Sequence, residues 1–204
     1  MANPIPDGEL SGYEVLLCVC GGIACYKSAD LASKLRHGGA GVSVAMTRSA
    51  RRFIAPLTFQ ALTGRAVYTS LWQRSADFRS QHLSLTERAD LMVIAPATAN
   101  VMAKLAHGLA DDLVSSLGLS AWDACPVLLA PAMNTRMWNA PPTQTNLARL
   151  RGMGCRVVGP CEGMLACRTV GPGRMSEPAD ILATIREMLL SRPPKRLAEA
   201  RDED

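Results

Sequence analysis

Nowhere in its 204 residues does this chain carry an apolar run near the roughly 20 residues that span a bilayer. It has no dense block of one charge either. Basic residues number 22 against 18 acidic, for a formal net charge of +4. No basic stretch interleaves with aromatics, so the footprint of a nucleic-acid binder is missing. Paired CxxC motifs that would read as a zinc site are absent, and so is the GxGxxG fingerprint of dinucleotide folds. There is no internal repeat and no low-complexity segment. The first ten residues are polar with proline and glycine, unlike a secretory signal. Seven cysteines, at 18, 20, 25, 125, 155, 161 and 167, are an odd number and cannot all pair internally. Together these absences predict a reduced cytoplasmic protein with no membrane, nucleic-acid or metal partner, most of its cysteines acting as small core hydrophobes.

What is present fits one domain. A chain of this length buries a sizeable core, and 48% hydrophobic with 20% charged residues is ordinary for a folded protein. Glu14 to Cys20 is a short, largely apolar run, closed by Gly21-Gly22 and followed by a helical pattern to His37. Val42–Met46, Leu91–Ala95 and Val127–Ala130 repeat the buried-strand signal, and Arg156–Val158 is a plausible further strand. Helices are expected from Thr47–Ala50 through Phe53 and Leu57–Leu62, around Val101–Ala106 and Asp111–Leu119, and over Pro142–Arg151, where proline suits the first turn. Pro178–Leu190 closes the domain as a helix, with Glu177 and Asp180 near its positive end. Strands that are continuously apolar place helices on both sheet faces. The predicted fold is therefore a single α/β domain over residues 12–190, a doubly wound, Rossmann- or flavodoxin-like parallel sheet. Residues 1–11 read as a flexible leader and 191–204 as a charged, disordered tail.

Chemistry is expected at the carboxyl ends of the strands, where open α/β sheets bind ligands. Gly21-Gly22-Ile23-Ala24 lies between strand and helix, where amides and the helix dipole favour a phosphate; a tight turn would need the same glycines. Thr47-Arg48-Ser49 offers two hydroxyls and a guanidinium after the second strand, though an N-cap would look alike. Pro96-Ala97-Thr98-Ala99-Asn100 follows the third strand and has the same two readings. These clusters converge on one crevice of mononucleotide size. After the fourth strand comes Pro131-Ala132-Met133-Asn134-Thr135-Arg136-Met137-Trp138, which sets an amide and a cation beside two thioethers and an indole. Of the 3 histidines, His37 and His107 suit helix carboxyl ends, where a cation favours the dipole. His82 opens an amphipathic segment instead and is a candidate general acid or base.

The last of these segments matches the signature Pro-x-Met-Asn-x-x-Met-Trp throughout, and so resembles the homo-oligomeric flavin-containing cysteine decarboxylases. Further stretches look like the same family. They are Gly21–Lys27, Thr47-x-Ser49-Ala50, His82-Leu83-x-Leu85, Ala89-Asp90-Leu91, Ala95–Asn100, Gly108–Leu113 and Gly171-x-Gly173-Arg174-Met175, so the similarity runs from about residue 13 to about residue 190. The resemblance implies FMN as cofactor, held by Gly22, Ile23, Thr47, Ser49, Phe53, Pro96, Thr98, Ala99 and Asn100. It makes His82 the active-site histidine and Asn134 the residue that holds a substrate carboxylate, with Met133, Arg136 and Met137 beside it. Cys167, in a glycine-rich stretch of weak periodicity, would be a proton donor on a mobile flap. The family usually has glycine after that cysteine and this chain has Arg168, which would cost about 1 kcal/mol or more if the position needs a positive φ.

The activity implied is that of the family members in coenzyme A synthesis, which turn 4′-phosphopantothenoylcysteine into 4′-phosphopantetheine. Flavin oxidation of the thiol-bearing carbon gives a thioaldehyde, an electron sink for loss of CO₂, and the resulting enethiol is reduced again with a proton from Cys167. Two alternatives lie within the resemblance. An oxidative peptidyl-cysteine decarboxylase would stop at the enethiol, and a non-catalytic FMN-binding relative would regulate a partner. A plain electron carrier would leave Asn134, Arg136 and Trp138 unexplained. A homotrimer or an assembly of trimers with FMN at subunit interfaces is implied as well, as is a separate phosphopantothenoylcysteine synthetase in the pathway.

Overall fold

The structure of the protein, a computed structural model, describes residues 8–72, 81–166 and 170–195. Six parallel strands form the central sheet: β1 (Glu14–Val19), β2 (Gly41–Met46), β3 (Val67–Tyr68), β4 (Leu91–Ala97), β5 (Val127–Pro131) and β6 (Arg156–Val157). Their spatial order is β3-β2-β1-β4-β5-β6, that of a doubly wound Rossmann-type sheet. The chain moves outward from β1 to β3, then returns to place β4 on the other side of β1. That reversal opens a crevice between the carboxyl ends of β1 and β4.

Alternation along each strand explains why the strands read as unbroken apolar runs. Leu17 and Val19 point to a core shared with α1 (Cys25–His37), α2 (Pro56–Thr63) and α8 (Pro178–Leu190), through Leu31, Leu35, Phe59, Ile181 and Ile185. Leu16 and Cys18 point to the opposite core, filled from α3 (Gln81–Arg88), α4 (Ala99–Ala106), α5 (Leu113–Ser120) and α7 (Pro141–Gly152). With both faces covered, no strand position has to be polar. Cys18, Cys20, Cys125 and Cys155 are buried in the second core and Cys25 in the first.

Local chemistry sets the ends. Pro56, Pro141 and Pro178 stand in the first turns of their helices, where a missing N–H costs nothing. Gly64 stops α2 in the left-handed conformation at φ 68°. The single helix expected between residues 47 and 62 is instead a short 3-10 turn, Ala50–Arg52, followed by α2. The break falls at Ala55, which precedes Pro56 and is extended (φ −74°, ψ 145°) as that position demands. A short helix, α6 (Thr135–Asn139), follows β5, and an antiparallel hairpin pairs β7 (Cys161–Met164) with β8 (Val170–Arg174).

The segments flanking the expected domain bounds pack against the body. Leu10 is fully buried and Glu9 pairs with Arg186 at 2.6 Å. Beyond α8, Asp90 gathers the chain: its carboxylate accepts from the amides of Glu14 (2.7 Å) and Lys195 (2.8 Å), and its carbonyl accepts from Arg192 (2.7 Å). No helix among the described residues is long and apolar enough to cross a membrane.

Candidate active site

The crevice at the strand reversal widens into a cavity of about 1000 Å³, at the upper end of the range of roughly 300–1,000 Å³ for small-molecule sites. Four strand ends supply one wall each. After β1 comes the turn Gly21–Ala24. The amides of Gly21 and Ile23 have no backbone hydrogen-bond partner among the described residues, and that of Gly22 lies toward the Cys25 thiol. The helix that follows, α1, has Ala24 at its N-cap, no side-chain cap and no acidic residue in its first turn. Helix ends orphan their first N–H groups; in α1 those of Cys25 and Lys27 reach the carbonyls of Gly22 (3.1 Å) and Ala24 (3.0 Å), and no side-chain oxygen caps the helix. A Cβ on Gly22 would meet nothing within 4 Å, so the space above it is open to a ligand. A Cβ on Gly21 would overlap Ser49, so only glycine lets the first and second turns touch.

After β2, the Thr47 hydroxyl accepts from the amide of Ala50 at 3.2 Å, whereas Ser49 makes no side-chain cap. After β4, the Thr98 hydroxyl caps α4 by accepting from Val101 N at 3.3 Å and keeps its own proton to donate. After β5, Asn134 caps α6: its Oδ1 accepts from Arg136 N at 2.8 Å. With Oδ1 so engaged, donation to a carboxylate falls to its NH₂ group. Met133 fixes the same turn by donating its amide to Gly173 of β8 at 2.9 Å. The hairpin forms the last wall through Met164, Leu165, Ala166, Gly173 and Arg174.

One wall of the cavity sets a single cation against two carboxylates. Lys104 bridges Asp111 at 2.7 Å and Asp112 at 2.6 Å. Burial opposes its charge, but hydrogen bonds to both carboxylates outweigh that and hold it above the ordinary lysine range. The same contact draws Asp111 below the ordinary carboxylate range. Cys20 also lines the cavity, yet burial first, and the Asp112 charge second, push its thiol far up. It is protonated at neutral pH and is no nucleophile. At the rim, Glu177 accepts from Lys27 at 2.8 Å and lies 3.7 Å from Arg174. Among the described residues no group of His, Cys, Asp and Glu is arranged to hold a metal ion.

Of the residues singled out from sequence, Gly22, Ile23, Thr47, Ser49, Thr98, Ala99, Asn100, Met133, Asn134 and Met137 line this one cavity. Phe53, at the end of the 3-10 turn, is exposed; Pro96 is buried inside β4; Arg136 projects from α6. None of these three lines the cavity. His82 belongs to α3, but its side chain lies outside the described residues, as do Cys167 and Arg168, between β7 and β8. Arg48, read from sequence as the guanidinium of the second cluster, also lines the cavity, whereas sequence reasoning passed over Lys27, Lys104, Asp112 and Glu177 as site residues. Lys27 had a legible signal, a lysine on the buried side of α1. Glu177 had none, since an acid there is explained by the helix dipole alone.

Taken together, the uncapped helix end, the open space over Gly22 and the surrounding hydroxyls suit a phosphate-bearing ligand, with room beside it for a second molecule reaching Asn134. The Flavoprotein family matches residues 5–190. The chain is 45% identical over 184 residues to the coenzyme A biosynthesis bifunctional protein CoaBC of Vibrio vulnificus, covering 90% of this chain but 45% of that protein. Thus the chain spans less than half the length of such bifunctional relatives. It is 42% identical over 176 residues to a protein of Streptococcus mutans described as a probable phosphopantothenoylcysteine decarboxylase, covering 86% of this chain and 98% of the other. Among solved structures, the FMN-dependent cysteine decarboxylase SpaF superposes with a TM-score of 0.78 at 34% identity, over 89% of this chain and 98% of that one.

Proposed function

The chain belongs to the Flavoprotein family, and from that premise we propose that it is an FMN-dependent carboxy-lyase converting 4′-phosphopantothenoylcysteine to 4′-phosphopantetheine in coenzyme A biosynthesis. One observation carries the reading: an uncapped helix end over open space and a rigid asparagine turn face the same cavity. The Gly22–Ile23 turn and the hydroxyls of Thr47, Ser49 and Thr98 hold the polar part of FMN, with Ala99 and Asn100 completing its site in the cavity; Phe53 and Pro96, which do not line the cavity of one chain, are no part of that wall. Bound FMN supplies a reversible two-electron sink, without which a cysteine carboxyl has no route to lose CO₂. The NH₂ group of Asn134 holds that carboxylate, and Met133, Arg136 and Met137 flank the substrate. His82 acts as base or orients the thiol, and Cys167 returns a proton to carbon.

The chain works as a homotrimer or an assembly of trimers in the cytoplasm, with FMN at the subunit interfaces. Ile23, Tyr26, Met137 and Met164 support this: they line the cavity yet are 50–66% exposed in one chain, a clustering of apolar surface that marks association. A phosphopantothenoylcysteine synthetase activity supplies the substrate.

The test is to incubate the purified protein with 4′-phosphopantothenoylcysteine and identify the product by mass spectrometry. Saturated 4′-phosphopantetheine is expected. An accumulating enethiol would make the chain an oxidative decarboxylase, and intact substrate with FMN bound would leave it a non-catalytic flavoprotein.

A further inference from the structure

Lys27 is the third residue of α1, one turn from the glycines over which the cavity opens, and its side chain is 8% exposed. A buried ammonium is costly unless it is paired and hydrogen-bonded. Here Nζ donates to the carbonyl of Met175 at 3.0 Å and to Glu177 Oε1 at 2.8 Å. Both partners lie just beyond β8, at the base of the hairpin wall. Glu177 occupies the N-cap position of α8 but makes no side-chain cap there, so its carboxylate is committed to Lys27 and, at 3.7 Å, to Arg174. Arg174 in turn lies across β7, where a Cβ on Gly163 would come within 3.1 Å of its Nε.

On its other edge β8 is bonded to the asparagine turn. Gly173 accepts from the amide of Met133, and with φ +139° it lies so close that a Cβ would overlap the Met133 carbonyl oxygen. A Cβ on Gly171 would likewise stand 2.8 Å from Thr135 Oγ1, a buried hydroxyl with no partner in the structure. The end of β8 is thus held between two walls of the cavity, by the backbone of the Asn134 turn on one side and by a single buried cation from the helix at the cofactor side on the other.

We propose that Lys27 is a positioning residue: it sets the hairpin, and through the Gly173–Met133 bond the Asn134 turn, at a fixed distance from the end of α1. Its work falls on the substrate side of the site, because its two partners belong to the β8–α8 junction and none to the Gly21–Ala24 turn. This inference rests on the decarboxylase reading of the site, but its structural half is measurable without turnover.

Three properties of Lys27→Met are to be measured: FMN content, hydrogen exchange in peptides covering β7 and β8, and kinetics with 4′-phosphopantothenoylcysteine. Full FMN loading is expected, with exchange in the hairpin faster by tenfold or more and unchanged in β1. KM should rise about tenfold while kcat stays within about twofold. Lys27→Arg, which keeps the cation, should recover most of the protection. Glu177→Gln should loosen the hairpin in the same direction, and it carries the test alone if Lys27→Met does not fold. Wild-type exchange in the hairpin of the loaded variants, or loss of FMN from Lys27→Met with the hairpin still protected, overturns the proposal. If wild-type protein fails to decarboxylate the substrate but the exchange result holds, the positioning role stands and the functional reading falls.

Discussion

Two helix ends face the same cavity and are treated in opposite ways. At the start of α5, Asp112 accepts from Ser115 N at 2.9 Å while the Ser115 hydroxyl accepts from Asp112 N at 3.1 Å, a reciprocal capping box, and Lys104 neutralises the carboxylate. At the start of α1 there is no side-chain cap, no acid in the first turn, and two glycines. The chain satisfies one positive end with its own carboxylate and leaves the other to whatever enters the cavity. The contrast teaches where an anion binds: both helix ends carry the same backbone dipole, and only the side chains around them separate a closed end from an open one.

The largest effect should come from making the open end resemble the closed one. Gly22→Asp places a carboxylate where a Cβ meets nothing within 4 Å. Two residues before the N-cap Ala24, it is expected to repel a phosphate, so that the protein folds with its melting temperature intact but loses FMN affinity by a hundredfold or more, read by flavin titration. Retained FMN would mean that the cofactor phosphate is held elsewhere.

The converse change is smaller and of another kind. Asp112→Ala removes a cap and the Lys104 pair, and should cost about 1–2 kcal/mol of stability, a drop of some 2–8 °C at about 2–4 °C per kcal/mol for a chain of this size. FMN should stay bound. If FMN were lost instead, the closed end would also be part of the ligand site.

The smallest effect is in alkaline stability. Burial raises the thiols of Cys18, Cys20, Cys25, Cys125 and Cys155, the last to about 11 from an ordinary 9.0. In the unfolded chain these groups lose their protons near 9.0, whereas the folded state keeps them. The stability they confer is therefore full below that pH and declines as pH rises through the window, which for Cys155 runs from 9.0 to about 11. Cys20 feels the Asp112 charge as well as burial, while the backbone N–H of Gly22 draws Cys25 down against its burial. Asp112→Asn, which keeps a capping oxygen but no charge, should make the alkaline fall in melting temperature shallower. An unchanged profile would remove Asp112 from the account of Cys20.

Much of the fold was legible because each strand bears one uninterrupted signal. Glu14–Val19, Gly41–Met46 and Val127–Pro131 fall within a residue of the runs read from sequence, since burial on both faces leaves few polar positions, Glu14 and Ser43, to blur them. The hairpin was not legible. Cys161–Met164 alternates between half-buried and exposed, β8 is rich in glycine, and neither strand joins the main sheet. Of the site, the strand-end clusters were legible as a group because the carboxyl ends of the strands share one crevice; their other reading, capping, is also seen, with Thr98 on α4 and Asn134 on α6. Glu177 was not legible, because it makes sense locally as a helix residue, and Lys27, whose signal was its place on the buried side of α1, acquires its role only through that partner 150 positions away.

The sequence by itself determined the repeating strand-turn-helix grammar, the uncapped glycine turn and the signature around Asn134, all of which follow from contacts within a few residues. Only the tertiary structure decided that β4 returns beside β1, that the hairpin adds the last wall of the cavity, and that one buried lysine ties it to α1. Those outcomes depend on surfaces meeting across the chain, and local propensity does not specify a contact whose two halves are separated by most of the polypeptide.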